Sequence, residues 1–321
     1  DEARLADKRR TQVATLHLFR LKDDLMLLPL LLLFGLWATP TFAQWANEPS
    51  GATRVLNCPM SAADCVGGVV RGTWLDVYHN LTYFDPGNAP LSPLIVARAS
   101  LIYPNTTGGG DLGWWDNQAD RGLYMGVYFR FTAGGSSIPG VTKLFFLRNN
   151  ANLAGGSRTN GVFIIGGRDA VTRQLVFGIN TGGLNNSHVC GGGGELCYPN
   201  VSSGNFTIGQ WVKLEAIVCA STTTTAQNGT ARWWINGVEA GRYTNLNYGS
   251  GSTNEFWWNQ TWDGEAGSGG KGFTGDVHQD VDHLVVSAIP ASACNTTTTI
   301  DNPAGAPGLV SGFTATVGGV Q

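Results

Sequence analysis

The sequence predicts an all-β fold, two antiparallel sheets packed face to face as a sandwich. Short runs along the chain alternate apolar and polar residues, and outside one N-terminal stretch no window holds a helical period. Gly-rich turns such as 108–110, 134–137 and 191–194 separate the runs, in a chain with 45 Gly and only 13% charged residues. Asn236-Gly237 joins two β runs, the strongest short hairpin signal a sequence offers.

Residues 25–37 (LMLLPLLLLFGLW) form an apolar run too short to span a bilayer, followed by small residues up to Ala43. They predict that 1–43 is a secretory signal peptide with upstream residues, Met26 serving as a start. A retained N-terminal anchor is the competing reading. Residues 44–70 read as a disulfide-looped leading segment. Strands are expected over 75–83, 95–103, 123–132, 141–147, 162–166, 174–179, 211–219, 230–235, 238–244 and 277–287. In the strand from Trp211, Lys213, Glu215 and Ile217 share its face, while Val212, Leu214, Ala216 and Val218 take the other. In the last strand, Asp276, His278, Asp280 and Asp282 share a face, with Val277 opposite, Val281 after a one-residue slip, and the Leu284–Val286 run beyond. Residues 44–294 are thus expected to form one domain. A Thr/Pro-rich linker over 295–306 follows.

Removing residues 1–43 takes six basic and five acidic side chains from 20 Lys+Arg and 23 Asp+Glu, leaving a net charge of −4. Such a surface does not track a phosphate backbone, so nucleic acid is excluded as a partner. No span is expected in the mature chain. All six cysteines follow the signal segment, which fits an oxidising, extracellular or cell-surface location. Cys58 and Cys65 share their spacing with Cys190 and Cys197, leaving Cys219 and Cys294 for a long-range bridge. Spacing alone does not settle this connectivity. Eight Asn-x-Ser/Thr sequons lie between Asn80 and Asn295. They are glycosylation sites in a eukaryote and a by-product of Asn and Thr content in a bacterium, the reading the domain layout favours.

The strand GQWVKLE, the hairpin RWWINGVEAGRYTN and the final DHLVVS resemble the polysaccharide-lyase-like group of concanavalin A-type jelly rolls. LYMGVYFRFT and VTKLFFLR fit the earlier part of that pattern, and the resemblance covers roughly 70–290. It implies a two-sheet antiparallel jelly-roll sandwich of the lectin/glucanase type. That fold hosts lectins, glycosidases, lyases and modules with no known chemistry. Pro307–Gln321 resembles the first strand of a fibronectin type III module, which makes the chain part of a longer multidomain protein.

A lyase acting on uronic acids needs a group that neutralises the substrate carboxylate, a base and an acid. Arg130, Lys213 and His278 are the candidates, with Tyr128, Arg148, Glu215 and Asp280 as ligand contacts. Trp234, Trp257, Trp258 and Trp262 offer flat faces for sugar rings. In the pair Trp233-Trp234 one ring must face the core and the other must leave it. Asp111, Asp116 and Asp120 form a hard-oxygen set suited to a structural Ca²⁺, with a turn-rich acidic loop as the alternative; no cofactor is required. A glycosidase lacks its Glu-x-Asp-x-x-Glu string here, and a serine hydrolase lacks its Gly-x-Ser-x-Gly elbow. Polysaccharide recognition on a concave sheet is therefore the leading expectation, ahead of a β-eliminating lyase and of an adhesive matrix module.

Overall fold

The computed structural model describes residues 45–62, 65, 67–76, 81–101, 111–133, 141–149, 161–168, 174–181, 184, 186–190, 196–249, 251–259 and 276–294. The expected signal segment, linker and fibronectin-like strand, with Trp262, lie outside them. The chain divides into Asp1–Ala46 and Asn47–Gln321, and both sheets belong to the second unit. No helix among the described residues is long and apolar enough to cross a membrane.

In chain order the first strands are β1 (Thr53–Cys58), β2 (Thr73–Asp76), β3 (Thr82–Phe84), β4 (Val96–Leu101), β5 (Asp111–Asp120) and β6 (Gly122–Ala133). Next come β7 (Val141–Arg148), β8 (Gly161–Arg168), β9 (Gln174–Asn180), the helical turn α1 (Ser187–Cys190), β10 (Leu196–Cys197) and β11 (Asn205–Thr207). The chain continues through β12 (Trp211–Cys219), β13 (Gln227–Ile235), β14 (Val238–Asn247), β15 (Thr253–Asn259), β16 (Val277–Ile289) and the turn α2 (Ala291–Cys294). Two eight-stranded sheets result. Sheet A runs β14-β13-β12-β6-β16-β4-β3 with β1 on β16, and sheet B runs β10-β9-β8-β7-β15-β5-β2 with β11 on β9. Strand pairing is antiparallel throughout, as in the jelly-roll sandwich that the sequence predicts.

Alternation sets the inner faces. β6 sends Leu123, Met125, Val127, Phe129 and Phe131 inward, and β12 sends Val212, Leu214, Ala216 and Val218. Phe129 meets sheet B edge-on, its ring centre 5.8 Å from Phe145 and 5.9 Å from Phe177. Burial of each such side chain stabilises the fold by about 1.5–3 kcal/mol. The Asn236-Gly237 turn has φ of 50° and 83°, the left-handed pair that a tight hairpin needs. In β16 the phase slip falls at His283, a bulge with φ of 47°, not before Val281. Ahead of it Val277, Gln279 and Val281 are buried toward the core. Past it Leu284, Val286 and Ala288 take over.

Two central strands of sheet B, β5 and β15, were not expected from the sequence. DLGWWDNQAD and TNEFWWN mix polar residues with paired Trp and so lack clean alternation. Both are strands because neighbours bury them: β15 is paired on both edges, by β7 and β5. β1, which falls in the segment expected to be a disulfide loop, pairs with the second half of β16.

Three disulfides join Cys58 to Cys65, Cys190 to Cys197 and Cys219 to Cys294, with Cα–Cα distances of 5.3, 4.5 and 5.8 Å. The third closes 75 residues of chain and ties the turn α2, which follows β16, to β12. Loop-closure entropy makes it the most stabilising of the three. The double variant Cys219→Ser/Cys294→Ser is expected to lose about 2–4 kcal/mol of unfolding free energy in urea titration. The double variant Cys58→Ser/Cys65→Ser, with its short loop, is expected to lose less.

Candidate functional site

The sandwich has two outer faces, and the candidate residues are divided between them. On sheet A the register stands them in rows across four strands. Trp211 lies opposite Arg130, Arg130 opposite Asp280, and Asp280 opposite Arg98. One row over are Lys213, Tyr128 and Asp282. On the other side are Thr132, His278 and Ser100.

Asp280 is fully buried between two guanidinium groups. Arg98 donates Nε and Nη2 to it at 2.6 and 2.9 Å, and Arg130 donates Nε and Nη2 at 2.9 and 2.7 Å. Arg130 also gives Nη1 to Asn88 Oδ1 at 3.0 Å, and its guanidinium lies 4.6 Å from the centre of the Trp211 ring. Glu215, also fully buried, accepts Tyr124 Oη at 2.8 Å, Lys213 Nζ at 3.0 Å and both Asn47 donors at 3.0 Å. Asp282 takes the Leu91 N–H at 3.1 Å and pairs with His283. His278 Nδ1 lies 2.9 Å from Ser100 Oγ. Burial, then the charge of Arg98, lower its pKa. Burial, then Glu215 and Asp282, raise that of Tyr128.

Arg130, Lys213, Glu215 and Asp280 are thus committed to one another and to the segments that lie over the sheet. The three candidates for lyase chemistry share a face, but Arg130 and Lys213 already hold carboxylates of the protein. Trp233 enters the core, and Trp234 takes the outer face with the Arg232 guanidinium 4.8 Å from its ring centre.

Sheet B presents a different outer face. Trp115 and Trp257 stack with ring centres 6.0 Å apart and planes 17° from parallel. Gly113 makes this possible, since a Cβ there would stand 2.7 Å from the Trp257 ring. Glu255, fully buried, accepts Arg148 Nε at 2.7 Å and the Trp257 indole N–H. Phe146 lies on the other side of that arginine, its ring centre 4.7 Å from the guanidinium. Trp258 points the other way: it is in the core and donates Nε1 to Gln279 Oε1 at 3.1 Å, across the two sheets. Of the paired rings it is therefore Trp257, not Trp258, that belongs to the outer face.

Beside the stack, half-buried Trp115 forms one wall of a cleft of about 280 Å³ shared with Arg71, Thr73, Asp116, Asn117 and Gln118. Arg71 pairs with Asp116 and with Asp120 and gives Nη1 to Gln118 Oε1 at 2.8 Å. Burial raises the Asp120 pKa, and Arg71 pulls it back. The cation between these two carboxylates is thus Arg71. Asp111 starts β5 at the far end of the strand from Asp120, and no set of three metal-ligating side chains forms among the described residues. Arg71 and Thr73 were not singled out in the sequence, whereas Asn117 belongs to the acidic cluster around Asp116 that was. The position of β2 beside β5 brings Arg71 and Thr73 to Trp115, and Asn117 lies two residues along β5 from it.

No protein-family model and no curated protein matches the chain. Among solved structures it is similar to a double mutant of alginate lyase Aly36B in complex with alginate tetrasaccharide. The two share 13% identity at a TM-score of 0.50, over 69% of this chain and 99% of that one. It is similar also to endo-beta-1,4-glucuronan lyase from the fungus Trichoderma reesei, with 13% identity, TM-score 0.43, and 71% and 100% of the two chains covered. A third similar structure is the binding domain of botulinum neurotoxin serotype D/C, at 10% identity, TM-score 0.43, and coverage of 76% and 51%. The alginate lyase shows that the fold is shared.

Asp280→Ala is expected to cost about 3–5 kcal/mol in urea unfolding, because it strands two arginines on one buried row. The lowered His278 pKa favours the neutral ring in the folded state. Its contribution to stability is therefore complete above the ordinary histidine range and is lost as pH falls through the lowered value. His278→Gln is expected to flatten that acid-side loss in melting temperatures measured across pH.

Proposed function

We propose that residues 47–294 form a polysaccharide-recognition domain whose ligand lies on the outer face of sheet B. The cleft beside Trp115 carries this reading. An indole wall, a hydroxyl from Thr73 and the side-chain amides of Asn117 and Gln118 meet in one cleft. Sugar rings are bound in this way, apolar ring face on indole and hydroxyls on amides. Trp257, itself buried, backs the Trp115 ring on the side toward Arg148. The solved complex of alginate lyase with a tetrasaccharide has a glycan bound to a protein of this fold. Three disulfides agree with an extracellular setting.

Two arginines on this face, Arg71 and Arg148, are already paired with carboxylates. A lyase needs a free positive group for the substrate carboxylate, so binding is favoured over β-elimination. The lyase reading is retained because of the fold shared with alginate lyase, and it requires Arg148, in the middle of the sheet, to exchange Glu255 for the substrate carboxylate.

The two readings separate on products. A panel of neutral and acidic polysaccharides is incubated with the protein, and ultraviolet absorbance from unsaturated ends is followed beside affinity electrophoresis. Recognition predicts retardation by one polymer with flat absorbance, and Trp115→Ala weakens that affinity by about 1–3 kcal/mol. Rising absorbance that Arg148→Ala abolishes would make the protein a lyase. No retardation and no absorbance with any polymer would remove both readings.

A further inference from the structure

A second cleft, of about 270 Å³, opens on the outer face of sheet A, on the other side of the sandwich from Trp115. β12 supplies Ile217 and Cys219, β13 supplies Thr230, Arg232 and Trp234, and Asn47 and Ser50 close it from the leading segment. Alternation places Thr230, Arg232 and Trp234 on one face of β13, the face that leaves the core.

Three polar groups in this cleft lack a counterpart among the described residues. Thr230 is only 6% exposed, and its hydroxyl is buried with no hydrogen-bond partner. Such a group costs stability unless something answers it. Arg232 donates Nε to Glu239 Oε1 at 2.8 Å, while Nη1 and Nη2 find no acceptor among the described residues. Glu239 is already shared, taking Arg242 through Nε at 2.8 Å and through Nη2. One carboxylate thus faces two guanidinium groups, and a positive charge is left over on the cleft side. Asn47 gives its backbone N–H and its Nδ2 to Glu215, and its Oδ1 takes no hydrogen bond from the described residues.

We infer that this cleft binds a single uronate sugar, its carboxylate on the Arg232 Nη pair and its hydroxyls on Thr230 and Asn47. A volume of about 270 Å³ accommodates one sugar ring. Thr230 and Arg232 are two residues apart, about 7 Å along the strand, a span that a carboxylate-bearing ring crosses. Paired Nη donors fit a planar carboxylate in both charge and geometry. The site does not depend on how the Trp115 face is read.

The test follows the Trp234 indole N–H resonance of the full chain during titration with glucuronate, glucose or acetate. Glucuronate is expected to shift it saturably, with glucose and acetate at least about tenfold weaker. Arg232→Met is expected to lose about tenfold or more in affinity, and Thr230→Val about three- to tenfold. Thr230→Val also keeps or raises the melting temperature, since it removes an unanswered hydroxyl without changing shape. Trp115→Ala is expected to leave the glucuronate response unchanged. No saturable shift, an equal response to glucose or to acetate, or a response that survives both Arg232→Met and Thr230→Val would overturn the inference.

Discussion

The Asp280 carboxylate sets the register of sheet A. It stands on the face of β16 that points away from the core, yet it is fully buried, because arginines reach it from strands on both sides. A slip of one residue would turn it into the apolar layer around Phe129 and leave both guanidinium groups without a partner. Pairing of β6, β16 and β4 is therefore specified twice, by alternation inside and by the Arg130–Asp280–Arg98 row outside. Trp211 and Phe84 cover the ends of that row. The His283 bulge then shifts the phase, so that β16 feeds the core through odd-numbered residues before it and even-numbered residues after it. Its charged outer face is confined to the first half.

The two outer faces consequently differ in what they leave available. On sheet A the carboxylates of Glu215, Asp280 and Asp282 are consumed by side chains and by backbone N–H groups of crossing segments. Among the described residues, unanswered polarity survives toward β13, at Arg232 and Thr230, and at the buried Thr132 hydroxyl on β6. On sheet B the charges are paired as well, but paired indoles and amides remain around Trp115. Aromatic surface beside fixed hydrogen-bonding groups suits a sugar, whereas a buried ion pair suits only its own partner.

Much of the fold was legible in the sequence. β6, β12 and the β13–β14 hairpin follow from alternation and from Asn236-Gly237, and the structure pairs the cysteines by the two short spacings and the one long one. β5 and β15 were not legible, because DLGWWDNQAD and TNEFWWN have no clean period of two. They are strands because sheet B closes on both their edges. The site was legible in residue type and not in place. Arg130, Lys213 and His278 do share a face, as their positions predict, but two of them serve ion pairs, Arg130 with Asp280 from a distant part of the chain and Lys213 with Glu215 two residues along its own strand.

By itself the sequence determined the fold class, the inward residues of the regular strands and the requirement that one of Trp233 and Trp234 leave the core. Each depends on local geometry, the period of two along a strand and the left-handed turn at Asn236-Gly237. Only the tertiary structure decided which polar groups are free. Whether a carboxylate is a reagent or a brace depends on which arginine stands across from it. That arginine lies 150 residues away for Arg130 with Asp280, and 107 for Arg148 with Glu255. Strand order, not sequence spacing, sets those distances, and it also brought Arg71 to Trp115 and left Thr230 without a partner.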